Sequence, residues 1–206
     1  MGMPAVYGVV LAAGRSSRFG SNKLLATYRG KPLIEPVLAT VAHSTTSGWL
    51  SGGLAVAVPG NPDLDRVIAH AGLGKIDNDE PEAGLSHSLR LALDALGNVF
   101  PDADGALIFM GDQPGVRSSL VQKMVATWRD GAGPFVRPRY LDDPSAPGHP
   151  VLIDREVWDL AGSLSGDAGF GPLLKQYPEL VTILDVPGTN PDIDTPDDLH
   201  RLAERS

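Results

Sequence analysis

Apolar residues follow two rhythms along this chain, unbroken short runs and stripes at helical spacing. Residues 6–11 form a run interrupted only by Gly8, which predicts a buried strand. Residues 54–58 and 106–110 read the same way, the first closed by Pro59-Gly60. A helix is expected from Pro32 to about residue 43, since proline suits a first helical turn, and a shorter one over 63–71. From Gly84 onward, Leu85, Leu89, Ala92, Leu93 and Leu96 share one helix face. Another helix is expected over 118–128. Beyond Gly131 proline and glycine become dense, and strands at 135–137 and 151–153 flank a loop over 138–150. Helices near 154–161 and 170–176, a strand at 180–184 and a last helix from Pro196 complete the pattern. Alternation of this kind implies an α/β fold, Rossmann-like, with a mostly parallel sheet between two helical layers. Nothing in the pattern divides the chain, so residues 1–206 are expected to form a single domain.

Composition narrows the choices. With 42% apolar residues the chain can bury a full core. The run over 6–13 is too short to span a bilayer and has no basic residue ahead of it, so no membrane or secretory role is expected. The absence of cysteine excludes disulfides, thiolate metal sites and a cysteine nucleophile. A soluble, cytoplasmic protein is expected. The net charge of −8 argues against nucleic acid as a partner. Its distribution says more. Arg15, Arg18, Lys23, Arg29 and Lys31 all precede the first acid, Glu35, while Asp185, Asp192, Asp194, Asp197 and Asp198 gather near the end. The early bases are interleaved with glycine and serine instead of lying at helical spacing, which points to a bound anion.

Ligands of open parallel sheets bind beyond the carboxyl ends of the strands, so the residues following those strands carry the chemistry. The first strand runs into Leu11-Ala12-Ala13-Gly14-Arg15-Ser16-Ser17-Arg18-Phe19-Gly20-Ser21-Asn22-Lys23. This is neither a Walker loop nor the Gly-x-Gly-x-x-Gly of a dinucleotide fold. It still has the content of a phosphate cradle: Gly14 and Gly20 let backbone N–H groups approach an anion, and Arg15, Arg18 and Lys23 supply charge for a triphosphate. A polar glycine loop after an edge strand is the plainer reading. A second stretch, Gly84-Leu85-Ser86-His87-Ser88, starts a helix, where serine ordinarily caps backbone N–H groups. A third, Gly111-Asp112-Gln113-Pro114, sets an acid just past a buried strand, as a magnesium ligand or as a turn residue. Further acids stand at Asp192-Ile193-Asp194-Thr195-Pro196, where alternation turns Asp192 and Asp194 to one face. Asp197 and Asp198 are explained by the start of a helix.

Taken in order, these stretches resemble the molybdenum cofactor nucleotidyltransferases. Leu-Ala-Ala-Gly-x-Ser-x-Arg-x-Gly-x-x-Lys-Leu is similar to that family's signature. So are Gly30-Lys31-Pro32-Leu33, the Gly-Leu-Ser-x-Ser-Leu at residue 84, Gly-Asp-Gln-Pro, and Asp-Ile-Asp-Thr-Pro. Pro147-Gly148-His149-Pro150 and the stretch Leu164 to Gly169 resemble two further motifs, although relatives often carry a base where Pro147 stands. The resemblance implies a domain of the nucleotide-diphospho-sugar transferase type. It implies that Leu11, Ala12, Ala13, Gly14 and Arg15 bind the nucleotide with Gly84, Leu85, Ser86 and Ser88. Lys23, Arg18 and Asp112 would be catalytic, Lys23 steadying charge at the α-phosphate. Asp112 with Asp194, or Asp192, would hold Mg²⁺. His149 would hydrogen-bond the acceptor and Asp167 order its loop; His87 receives no role. The implied reaction transfers a nucleoside monophosphate from an NTP to a phosphorylated acceptor such as molybdopterin, with a molybdoenzyme or its chaperone as a further partner. Ala13 resembles the cytidylyl branch and favours CTP; the guanylyl branch, which prefers Ala-Gly-Gly, makes GTP the alternative. A sugar or alcohol phosphate acceptor and a non-catalytic cofactor-delivery protein are the other readings.

Overall fold

The apolar run near the N-terminus becomes β1 (Ala5–Ala12), the strand on which the rest of the sheet is built. The structure is a computed structural model and describes residues 2–14, 19, 20 and 22–204. After β1 come a two-residue hairpin, β2 (Thr27–Tyr28) and β3 (Lys31–Pro32), and helix α1 (Glu35–Thr46). Then follow β4 (Gly52–Ala57), α2 (Pro62–His70), β5 (Gly74–Asp77), α3 (Leu85–Val99) and β6 (Ala103–Met110). The second half holds α4 (Ser118–Arg129), β7 (Phe135–Tyr140), β8 (Val151–Asp154), a 3-10 helix (Arg155–Ser163), α5 (Gly171–Gln176), β9 (Val181–Val186) and α6 (Pro196–Glu204).

Seven strands form one sheet in the order β5-β4-β1-β6-β8-β7-β9. All neighbours run parallel except β8, which is antiparallel to both β6 and β7. Strand alternation sorts the core into two layers. Val6, Val10 and Ala12 meet Val37, Leu38 and Val41 of α1, Ile68 of α2 and Met124 of α4. Tyr7, Val9, Leu11 and Ala13 meet Leu89, Leu93 and Leu96 of α3 and Leu173 of α5. Gly8 interrupts the apolar run because α1 crosses there: a Cβ on it would lie 2.8 Å from Val41 Cγ1.

Three expectations need correction. Pro32 lies in β3, not in a helix; Arg29 and Gly30 both take positive φ (50° and 78°) and turn the chain back before α1 starts at Glu35, with Pro36 in its first turn. The expected α-helix after β8 is a 3-10 helix. Strand β5 was absent from the pattern because it is an edge strand with only Ile76 as an apolar signal.

Candidate functional site

The reversal of β8 gathers the site. Its first residue, Val151, pairs with Ile108 of β6, so His149 and Pro150 arrive at the edge where the parallel strands end. Along that edge lie the residues after β1, those after β6, the end of β7, and the segment joining β9 to α6.

Ala13 follows β1 and is 4% exposed, its methyl in the α3-side core; among the described residues nothing stands within 4 Å of a Cβ placed on Gly14. Arg15 and Arg18 lie outside the described residues. Asn22 accepts a hydrogen bond from the Leu24 N–H (3.0 Å) and so caps the 3-10 turn Lys23–Leu25. That turn seats Leu24 in the core and directs the Lys23 side chain inward, at 8% exposure. Its ammonium donates to Asp112 Oδ2 (2.7 Å) and to Asp194 Oδ1 (2.9 Å). Desolvation works against the charge on Lys23, but the two carboxylates outweigh it and raise the pKa.

Asp112 is fixed by its backbone. The N–H of Gly111 donates to the Leu11 carbonyl (3.0 Å), and the Asp112 carbonyl accepts from the Ile193 N–H (3.2 Å). The second bond ties the segment before α6 across the end of β6, with Ile193 buried against Tyr28 and Leu33. The carboxylates on either side of Ile193 then separate. Asp194 shares Lys23 with Asp112, whereas Asp192 accepts from Gln113 Nε2. Desolvation raises the Asp192 pKa; Gln113 opposes, and the charges of Asp112 and Asp194 add to the rise. Asp112 Oδ1 is buried with no hydrogen-bond partner among the described residues. A buried carboxylate oxygen left open in this way suits a hard cation, and Asp112 with Asp194 offers the small oxygen set that Mg²⁺ takes together with phosphate oxygens and water. Among the described residues no group of three or more His, Asp or Glu gathers at metal-binding spacing.

Gln113 and Asn190, both buried, form the floor of the site. Asn190 Nδ2 donates to Gln113 Oε1 (3.1 Å), and Asn190 Oδ1 accepts from the Gly115 N–H (3.0 Å). Gln113 Nε2 also stands 3.4 Å from His149 Nδ1. Burial lowers the His149 pKa to about 4, with Asp112 opposing and Arg137 reinforcing the shift, so the ring is neutral at pH 7. With Nδ1 accepting from Gln113, the proton stands on Nε2.

The start of α3 forms a second wall. Gly84, at φ 88°, holds the cap position, and neither serine side chain caps the helix, contrary to the plainer reading of that stretch. The Ser86 N–H donates to the Gly166 carbonyl (3.0 Å), while Ser86 Oγ is buried without a partner among the described residues. Ser88 Oγ accepts from Asn78 Nδ2 (2.9 Å). A side chain on Gly84 would run into the Gly166 backbone, with the Asp167 N–H only 2.8 Å from its Cβ. The two loops are therefore joined by backbone; Asp167 itself is exposed, and among the described residues no hydrogen bond involves its carboxylate. Leu85 packs on Gly169. The structure thus brings together Lys23, Asp112, Asp192, Asp194 and His149, and sets Gly84 to Ser88 against the Asp167 loop. Sequence reading missed Asn78, Gln113, Asn190 and Arg137. Asn78 could have been found as the polar residue just past β5 had that strand been recognised. A cavity of about 1100 Å³ beside Tyr28, Arg117 and Lys123 meets this cluster only through Asp192 and is a separate feature.

The MobA-like NTP transferase domain family matches residues 8–181. The chain is 30% identical over 210 residues to nicotine blue oxidoreductase of Paenarthrobacter nicotinovorans, covering 97% of each. It is 26% identical over 180 residues to a probable molybdenum cofactor guanylyltransferase of Pyrococcus horikoshii, covering 86% of this chain and 85% of the relative. Among solved structures, Rv0371c of Mycobacterium tuberculosis superposes with a TM-score of 0.81 at 28% identity, covering 98% of this chain and all of that one. Its complex with manganese superposes at 0.77 and 27% identity, with coverage of 98% and 100%. No described helix is long and apolar enough to cross a membrane. On the match over residues 8–181 and the full-length likeness in sequence and fold, the chain belongs to the MobA-like NTP transferase domain family.

Proposed function

We propose that this chain is a Mg²⁺-dependent nucleotidyltransferase. It moves a nucleoside monophosphate, CMP in preference to GMP, from an NTP to the phosphate of a small acceptor of the molybdopterin type. One observation carries the reading: the Lys23 ammonium held between Asp112 and Asp194 at the end of the loop after β1. Family membership and the manganese complex of the Mycobacterium tuberculosis relative support nucleotidyl transfer with a divalent ion.

Asp112 and Asp194 would hold the ion, which supplies charge neutralisation for the phosphates. Lys23, at the junction of the loop and the two carboxylates, would steady the oxygens of the α-phosphate. The N–H groups after β1, with Arg15 and Arg18, would take the triphosphate. Ser86 Oγ and the backbone of Gly84 and Leu85 would line the nucleoside. His149, neutral and with its proton on Nε2, would donate to the acceptor. A phosphate monoester has a second pKa of about 6, so the nucleophile is already ionised at neutral pH and no general base is needed. Catalysis then consists of positioning and charge neutralisation, with pyrophosphate leaving. A molybdoenzyme or its chaperone would receive the product, in the cytoplasm, from one catalytic unit spanning residues 1–206.

Ala13 supports CTP through packing: its methyl lies in the α3-side core, filling space that glycine would leave to a larger base. The guanylyltransferase relative makes GTP the alternative. Incubation with the four NTPs, Mg²⁺ and molybdopterin, with pyrophosphate release as the readout and CTP competing against GTP, tests the whole reading. Release from CTP first is expected. Consumption of GTP first overturns the base choice alone, and no release from any NTP overturns the reaction.

The full-length likeness to nicotine blue oxidoreductase favours a second reading. A nicotinamide dinucleotide would lay its pyrophosphate on the same loop N–H groups and pass hydride to a flat aromatic acceptor. Oxidation of NADH or NADPH by an aromatic quinone, without pyrophosphate release from NTPs, would select it.

A further inference from the structure

We propose that Arg137 is an anion receptor on the acceptor side, whose guanidinium takes the acceptor's phosphate monoester beside Gly148 and His149. On β7, Val136 and Tyr140 belong to the α1–α4 side of the core and Phe135 to the α3 side. Arg137 therefore shares the face of Phe135, two residues nearer the edge where the strands end.

Its charge is unanswered. Arg137 Nε is buried and has no hydrogen-bond partner, and no carboxylate pairs with the guanidinium among the described residues. Burial alone acts on its pKa, lowering it, with no carboxylate near enough to oppose. A guanidinium does not shed its proton to escape this cost. Arg139, on the same face, shows what the sheet supplies elsewhere: it forks onto Asp185 of β9 at 2.7 and 2.9 Å. Asp185 is the cross-strand partner of Arg139, and the cross-strand partner of Arg137 is Ile183. Where an acid would neutralise Arg137, the sheet presents an isoleucine.

The surroundings suit an oxyanion. A Cβ on Gly148 would stand 3.5 Å from Arg137 Nε and would overlap the Pro138 carbonyl, so bare backbone passes the guanidinium at this point. His149 follows directly, neutral and charge-coupled to Arg137. A phosphate here meets a fixed cation with several N–H donors and a neutral imidazole donor, a combination that matches a tetrahedral dianion. Naming that anion as the acceptor's phosphate rests on the nucleotidyl-transfer reading; the anion site itself does not.

The test uses the full chain saturated with Mg²⁺ and a non-hydrolysable CTP analogue, so that the loop after β1 is filled. Wild type, Arg137→Met and Arg137→Lys are titrated with phenyl phosphate and with inorganic phosphate by calorimetry, and their ligand-free melting temperatures are compared. Phenyl phosphate should bind wild type, Arg137→Met about ten- to a hundred-fold more weakly, and Arg137→Lys in between. Ligand-free Arg137→Met should melt at or above wild type, because a half-buried charge that makes no ion pair among the described residues is gone. Equal affinity in wild type and Arg137→Met overturns the proposal, whatever happens to stability. Binding of inorganic phosphate with exclusion of phenyl phosphate overturns the assignment to the acceptor's ester. Failure of every NTP to release pyrophosphate would count against the transferase reading and leave this titration standing.

Discussion

Lys23 and Arg137 stand at the same edge of the sheet, the first buried and the second half-buried, but their charges are met in opposite ways. The ammonium has Asp112 and Asp194 within 2.9 Å, while the guanidinium has no carboxylate among the described residues. The first side carries its counter-charges within the resting protein, so a ligand there must compete with ion pairs already formed. On the second side, among the described residues no ion pair has to be broken for a ligand to bind. Substitution should therefore hurt the first side through lost function and altered ion binding, and the second through geometry and proton balance.

Asp112→Ala carries the largest expected effect. It removes the open Oδ1 together with one partner of Lys23, and pyrophosphate release should fall by more than about 10³-fold. Melting should change little, because Lys23 retains Asp194. Wild-type turnover in this variant would remove the metal side of the contrast. Next comes Lys23→Ala, expected to lower kcat by about 10²- to 10³-fold with a smaller rise in KM for the NTP. It also removes the ammonium that Asp112 and Asp194 share, so Mg²⁺ should raise the melting temperature more in the variant than in wild type. An equal Mg²⁺ response would show that the ion does not share those carboxylates.

On the other side, Gly148→Ala forces a methyl into the Pro138 carbonyl, and a loss of about 2–3 kcal/mol in urea unfolding is expected. Unchanged stability would mean that the chain passes Arg137 less closely than described. The smallest effect concerns protons. His149 has a folded pKa of about 4, against an ordinary value near 6.5. The unfolded chain binds the proton first, so wild-type stability should be complete above about pH 6.5 and decline as the pH falls toward 4. His149→Asn should flatten that limb in urea titrations at stepped pH. An identical limb in both proteins would assign the acid sensitivity to the carboxylates.

The sequence made the first side far more legible than the second. Lys23, Asp112 and Asp194 sit within short motifs, where the type of residue already names the chemistry. The choice between Asp192 and Asp194 was not readable, since alternation turns both to one face; the bond from Ile193 to the Asp112 backbone and the reach of Lys23 separate them. Arg137 was silent for a physical reason. It lies inside a strand, and its significance comes from what Ile183, remote in sequence, fails to provide. Asn78 and Asn190 escaped likewise, because their partners Ser88 and Gln113 come from other elements. The fold was legible wherever apolar runs were buried on both faces, as in β1 and β6, and lost at the edge strand β5 and in the direction of β8, which no local pattern encodes.

Tyr140, the last residue of β7, donates its hydroxyl proton to the His149 carbonyl at 2.8 Å. That bond fastens the two ends of the stretch 141–148 to each other before the chain re-enters the sheet as β8. A loop clasped at its base transmits little of its own length to what lies beneath, and the entropy of closing it grows only slowly with added residues. Between its anchored ends, residues 143–147 should therefore tolerate added length. Insertions there should leave nucleotide handling unchanged while altering which partner molecule is admitted, which gives one scaffold a route to diversify its second substrate.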